Sequence, residues 1–439
     1  MKVILTIAAL AGSLAVIGLQ AAEEHAPSAA AATAAAVTAK TAPTATERSA
    51  HYVNAAYIAS HKTSVEALTG LGRMLFFDPS LSGSGKQSCA TCHSPDHAFG
   101  PPNDLSVQFG GRDMKHPGTR ATPSLRYMQN TPPFSEHYHD DDGDDSIDAG
   151  PTGGRTWDGR VDSAHEQARI PLLSPHEMAN ADAAEVVAKL KKAPYASQFR
   201  AAYGERIFDD SERAFEAATM ALEVFQESPA DFYPYSSKYD AFLRGQTALS
   251  KQELRGLVLF DAPEKGNCAS CHISAVAPNG AFPQFTDYGL IAVGVPRNRK
   301  IPVNADPHYF DLGVCGPDRT DLMDQEEYCG LFKTPTLRNV ALRKSFFHNG
   351  VFHTLEQVMQ FYVQRDTNPG KWYPRKRGGS IDKFDDLLPK YAANVNADPP
   401  FDRKPGEAPA LSEAEIKDVI AFLKTLTDGW TPPGAAKAH

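Results

Sequence analysis

With 439 residues and 42% hydrophobic content, the chain is long enough for two domains of roughly 150–200 residues, each burying its own core. Its net charge is −9, from 44 basic and 53 acidic side chains, and no basic stripe stands out, which argues against a nucleic-acid partner. The acidic balance suits a cationic protein partner.

Met1–Ala21 has the form of an export signal, with Lys2 as the positive start, Val3–Leu19 as the apolar run and Ala21-Ala22 as small residues for cleavage. The run is near the lower limit for spanning a bilayer, so an uncleaved anchor is the alternative. Residues 22–50 are rich in Ala, Thr, Pro and Ser and cannot bury enough apolar surface to fold, which predicts a flexible linker. Order is expected to resume near Tyr52.

Leu71-Gly-Arg-Met-Leu-Phe-Phe-Asp-Pro79 leads into Cys89-Ala-Thr-Cys92-His93. Two thiols at this spacing can form thioethers to the two vinyl groups of one porphyrin, and the histidine that follows then lies under the iron as its proximal ligand. A redox CxxC or half of a zinc site needs no histidine directly after the second cysteine. The pattern recurs as Arg255-Gly-Leu-Val-Leu-Phe-Asp-Ala-Pro263 followed by Cys268-Ala-Ser-Cys271-His272. This internal repeat predicts an all-α protein of two cytochrome-c-like haem domains, carrying two covalently bound haem c groups. The boundary is expected between Pro229 and Leu249, giving domains over 51–245 and 246–430 and a tail over 431–439.

The remaining landmarks follow in chain order. His137–Asp148 is an acidic, loop-like stretch whose spacing matches no calcium-binding helix-loop-helix. Asp209–Gln226 and Ser412–Leu426 have the apolar spacing of amphipathic helices. Helix starts are legible where a cap precedes an acid or amide three residues on: Ser250/Glu253, Thr354/Gln357 and Ser412/Glu415. After four cysteines are assigned to haem, Cys315 and Cys329 remain, either as one disulfide or as two buried thiols. Covalent haem attachment and a disulfide both fit a periplasmic location. The helix starting at Thr354 puts Leu355, Val358, Met359 and Tyr362 on one face, and a residue on that face should meet the second haem.

Arg155-Thr-Trp-Asp-Gly-Arg160 and Pro175-His-Glu-Met178 go beyond an electron carrier. Together with both pentads, Phe285-Thr-Asp287, Pro335-Thr-Leu-Arg-Asn-Val-Ala-Leu342 and Phe347-His-Asn-Gly350, they resemble the bacterial diheme cytochrome c peroxidase and MauG family from Leu71 to Leu426. The resemblance implies an enzyme acting on hydrogen peroxide, with the N-terminal domain peroxidatic and the C-terminal one electron-transferring. It places Trp157 between the haems as a relay, Gln167 and Glu177 above the open face of the first haem, and Pro171 in the same distal pocket. A carboxylate there can move a proton from the inner to the outer peroxide oxygen.

At the far ligand position of the second haem, peroxidases of the family carry methionine. Counting from Leu337-Arg-Asn-Val places Tyr362 there, as in MauG-like members, with Met359 as competitor and a core tyrosine as the plain alternative. A phenolate stabilises higher oxidation states than a thioether does. The resemblance therefore implies high-valent iron shared over two haems.

Of the histidines, His116 is the candidate sixth ligand of the first haem, although its spacing favours an open site. His97 reads as a loop residue and His348 as structural or propionate-contacting. The family also holds one calcium, for which Asn130 and the carbonyls of Arg343 and Ser345 are the candidates, with Tyr127 at the place where the asparagine is expected. Implied partners are a small electron donor (a c-type cytochrome or cupredoxin) or a protein whose side chains are oxidised, as in MauG. A non-enzymatic diheme electron-transfer cytochrome is the remaining alternative.

Overall fold

The computed structural model describes residues 63–138 and 149–432. The export signal, the 22–50 linker, most of the acidic 137–148 stretch and all but two residues of the 431–439 tail lie outside these. The described residues are helix-rich, with strands only as two short antiparallel pairs: Phe109–Gly110 with His116–Pro117 (β1, β2) and Leu290–Ile291 with Phe332–Lys333 (β3, β4).

Six helices position the site: α1 (Val65–Phe77), α2 (Ala164–Leu173), α3 (Ser211–Gln226), α4 (Lys251–Asp261), α5 (Leu355–Gln364) and α6 (Glu413–Lys424). Their starts follow the side-chain chemistry. Ser64 and Asp210 cap α1 and α3, and reciprocal capping boxes open α2 (Ser163/Glu166), α4 (Ser250/Glu253), α5 (Thr354/Gln357) and α6 (Ser412/Glu415). The α3 and α6 helices begin within a few residues of where the apolar spacing puts them.

Helix α3 is apolar over most of its circumference and sits inside the first core, among Leu68, Leu75, Phe76, Phe99, Phe199 and Phe232. A second core gathers Phe260, Phe285, Phe361, Val419, Phe422 and Leu426. Between Phe232 and Tyr239 the chain passes from the first cluster to the second. A third, smaller cluster surrounds Cys315 and Cys329, which form a disulfide.

Each main core is built on one close helix pair. A Cβ at Gly72 of α1 would sit 1.9 Å from the Ala221 carbonyl oxygen and 2.7 Å from Phe225 Cβ on α3; at Gly256 of α4 it would sit 2.0 Å from the Asp418 oxygen and 2.9 Å from Phe422 Cβ on α6. Both glycines occupy the same place in the Leu-Phe segments ahead of the pentads. Because the obstructing atoms are backbone, Gly256→Ala must push the two helices apart. An overpacking cost of about 1–3 kcal/mol is expected, read as a lower urea midpoint of the holoprotein at unchanged m-value.

Candidate haem cavity and active site

The first pentad forms one helical turn, Cys89–Cys92, and the second a 3-10 turn, Cys268–Ser270. Each turn returns its histidine to the same local geometry. The backbone N–H of His93 donates to the Cys89 carbonyl at 2.9 Å and that of His272 to the Cys268 carbonyl at 2.8 Å. Each ring is then held at Nδ1 by a phenylalanine carbonyl 3.0 Å away, Phe99 for His93 and Phe285 for His272. Both phenylalanines adopt positive φ, 54° and 56°. A carbonyl can only accept, so Nδ1 carries the proton and Nε2 keeps a lone pair, as a metal-binding imidazole requires. Burial pushes both imidazoles down to about 4, so they are neutral at pH 7. The four thiols form no disulfide, and desolvation raises all of them, Cys89 and Cys268 to about 12.

Two matching segments buttress these histidines, Thr122-Pro-Ser-Leu-Arg126 and Thr334-Pro-Thr-Leu-Arg338; sequence reasoning singled out most of the second but missed the first and the match between them. Ser124 Oγ donates to the Ala98 carbonyl at 2.6 Å and Leu125 N to Phe99 at 3.2 Å; Thr336 Oγ1 donates to Gln284 at 2.6 Å and Leu337 N to Phe285 at 3.2 Å. The repeated Thr-Pro-x-Leu-Arg was the signal that could have found them.

Both pentads open on one cavity of about 780 Å³. Its wall tests whether haem fits. Lys333 is buried and donates to the Gly154 carbonyl at 2.6 Å, and desolvation lowers it to about 7. Arg343 donates only to carbonyls and is lowered to about 10 for the same reason; the Nε of Arg155 has no hydrogen-bond partner. Among the described residues, none of these three cations has a carboxylate in ion-pair contact. Arg120, by contrast, is clamped between Asp158 and Asp311 at 2.6 Å each. Desolvated cations without anions are costly, and haem brings two propionate carboxylates per ring. The cavity therefore fits two haems, with Arg155, Lys333 and Arg343 available to their propionates.

Helix α2 lines the cavity with Gln167, Ile170, Pro171 and Ser174, spaced i, i+3, i+4 and i+7. The chain then turns, with Glu177 N donating to the Ser174 carbonyl at 3.0 Å and Met178 N to the Pro171 carbonyl at 3.0 Å, which brings Glu177 onto the same wall. Desolvation raises the Glu177 carboxyl against the opposing effects of Ser174 and Arg160, and its charge is felt at both Cys89 and Cys92. Trp157 is buried, its indole N–H donating to the Ala121 carbonyl at 2.7 Å and its own carbonyl accepting from Lys333 N at 2.7 Å. It is thereby tied to a segment following each pentad.

On α5, Leu355, Val358, Met359 and Tyr362 all line the cavity. Tyr362 lies between the rings of Phe347 and Phe401, with centroids 5.8 and 5.4 Å away. Its hydroxyl makes no hydrogen bond to the described residues, and burial together with the nearby Cys271 and Cys268 raises it above the ordinary tyrosine range. Met359 is buried in the second core beside it.

The other histidines separate clearly. His116 is exposed on β2, 3.6 Å from Asp113, and does not itself line the cavity, although its ring lies 6.1 Å from that of His176, which does. His97 lines the cavity and shares a hydrogen bond with Ser94 at Nδ1. His348 is buried at the wall, stacked on Phe332 at 3.5 Å, and burial lowers it to about 4. Of the calcium candidates, Asn130 is exposed, and the Ser345 carbonyl accepts from the Arg343 guanidinium at 3.2 Å.

Comparison with known proteins follows the same lines. The family profile described as di-haem cytochrome c peroxidase matches residues 66–248. The methylamine utilization protein MauG of Paracoccus denitrificans (strain Pd 1222) is 34% identical over 383 residues, covering 83% of this chain and 89% of that protein. The cytochrome c551 peroxidase of Nitrosomonas europaea is 30% identical over 66% of this chain and 71% of its own length. Among solved structures, a tyrosine-to-methionine variant of the diheme peroxidase BthA from Burkholderia thailandensis E264 superposes with a TM-score of 0.75. It is 39% identical and covers 84% of this chain and 87% of the variant.

Proposed function

The chain belongs to the diheme cytochrome c peroxidase and MauG family and is a diheme peroxidase, and from that premise we propose how its two haem sites divide the work. The observation that carries the proposal is the asymmetry of the cavity. An amide and a raised carboxyl, Gln167 and Glu177, line it, with the charge of Glu177 felt at Cys89 and Cys92 of the first pentad, whereas Tyr362, a phenol with no hydrogen bond among the described residues, lines it within electrostatic reach of Cys268 and Cys271 of the second.

When bound, the two haems supply the redox chemistry, delivering two electrons to the O–O bond of peroxide. The protein directs it. His93 and His272 each offer Nε2 as the proximal ligand, with Nδ1–H held by a carbonyl that strengthens the imidazole as a donor. Glu177 takes a proton from the inner peroxide oxygen and returns it to the outer one, which leaves as water; Gln167 orients the peroxide by hydrogen bonding, and Pro171 fills the wall with a ring that offers no competing donor. Tyr362 would supply the oxygen ligand to the second haem. Trp157 relays an electron from the second site to the first, its N–H fixed by the Ala121 carbonyl.

The twin glycine-packed helix pairs, the twin Phe-carbonyl latches and the twin Thr-Pro-x-Leu-Arg segments support a duplicated arrangement, with domains over 51–245 and 246–430. The disulfide and the thioether chemistry support a periplasmic location. A phenol at the second site also favours oxidation of a protein partner, as in MauG, because that site then needs no prior reduction by a small cytochrome or cupredoxin.

The test is to add one equivalent of peroxide to the fully ferric holoenzyme and follow both haems by EPR and near-infrared absorption. Both ferric signals should diminish together. In Trp157→Phe, the change should be confined to the His93 haem. A wild-type response that needs prior reduction, or that never involves the second haem, would overturn this division.

A further inference from the structure

The family resemblance calls for a calcium ion held by an asparagine side chain and by the carbonyls of Arg343 and Ser345. The donors in this chain do not fit it. Calcium takes six to eight oxygens, with carboxylates prominent among them. Here Asn130 is exposed. Tyr127, at the position where the asparagine is expected, is fully engaged: its hydroxyl donates to Asp428 Oδ1 at 2.7 Å and accepts from Tyr235 N at 3.0 Å. The Asp428 carboxylate is itself taken by Arg126 at 2.9 Å and Asn339 at 2.7 Å.

What stands at the carbonyls is a cation of the chain itself. Arg343 donates from Nε to the Ser345 carbonyl at 3.2 Å and from Nη2 to the Thr122 carbonyl at 3.1 Å. Thr122 follows the first pentad and Ser345 the second, so one planar fork bridges the two segments. The guanidinium lines the cavity with no carboxylate partner among the described residues, and its charge is felt at His93. A calcium ion using the same Ser345 oxygen would have to displace a fixed positive charge.

We propose that Arg343 takes the calcium's place in this enzyme: its guanidinium ties Ser345 to Thr122 and presents the positive charge that faces a carboxylate of the first haem. The second half of this inference rests on the two-haem reading, which a haem count settles separately.

The holoenzyme, with its haem content measured, is incubated with calcium chloride, passed into metal-free buffer and assayed for calcium; a second sample is titrated with EGTA. Well under one calcium per chain is expected, with absorption and EPR spectra indifferent to EGTA. One retained calcium per chain, or an EGTA-dependent change at either haem, overturns the replacement. Arg343→Met should lower the midpoint potential of the first haem and leave that of the second unchanged, because loss of the nearby cation favours the ferric state. Arg343→Lys keeps the charge and should restore the potential. A first-haem potential indifferent to both substitutions overturns the haem-facing role, even with calcium absent.

Discussion

Glu177→Gln is expected to lower peroxide turnover by about 10²–10⁴-fold while both haems stay attached, the range seen when a positioned general acid–base is removed. The substitution keeps the shape of the side chain and its hydrogen bonding, but the amide cannot accept a proton from one peroxide oxygen and hand it to the other. The pH profile gives a second, independent readout. Burial raises the Glu177 carboxyl above its ordinary value of 4.5. The base form is therefore lost as pH falls through a value higher than that of an exposed glutamate. Wild-type turnover should show an acid limb displaced upward in pH, and Glu177→Gln should lack that limb.

Stability should move the other way. An acid with a raised pKa in the folded state opposes folding once pH exceeds its unfolded value, so the uncharged amide should leave the protein at least as stable at neutral pH. A variant that keeps full turnover and the acid limb would remove Glu177 from the proton transfer.

Tyr362→Met is expected to raise the midpoint potential of the second haem on the order of hundreds of millivolts, within the range of about 0.8 V that axial ligands command. The hydroxyl of Tyr362 has no hydrogen-bond partner among the described residues to lose, and the slot between Phe347 and Phe401 accepts a flexible thioether. The exchange is therefore one of ligand chemistry rather than of packing. A soft, neutral sulfur in place of a phenolate favours the ferrous state. The variant should acquire a need for prior reduction that the wild type lacks, measured as peroxide consumption by the ferric and the half-reduced forms. An unchanged potential would return the ligand role to Met359, six per cent exposed and on the same helix face.

What could be foreseen from residues alone follows a physical divide. Haem attachment is a local covalent pattern, so the pentads announced both sites. Capping boxes are equally local, and Ser250/Glu253, Thr354/Gln357 and Ser412/Glu415 all open helices. The cavity face of α5 was legible because helical spacing alone sorts Leu355, Val358, Met359 and Tyr362 to one side.

The buried cations were not legible. Nothing in the neighbours of Lys333 distinguishes a solvated side chain from one desolvated in a wall, since that is decided by a distant segment in which the Gly154 carbonyl accepts from its Nζ and the Trp157 carbonyl from its N–H. The placing of His116 was not legible for a similar reason: the β1–β2 pairing carries it to an exposed position beside Asp113. Among the calcium candidates, packing adds one contact that spacing does not announce. Arg343 was expected to offer its carbonyl, yet its guanidinium folds back onto the Ser345 carbonyl, a reversal that only the three-dimensional packing reveals.

The division between an open site and a phenol-capped one is tested most directly by the EPR spectrum of the resting, fully ferric holoenzyme. One high-spin signal should be present, from the His93 haem, beside one low-spin signal from the His272 haem without the parameters of histidine–methionine ligation. Two low-spin signals, neither altered by peroxide, would contradict the account and leave a pair of haems that only pass electrons along.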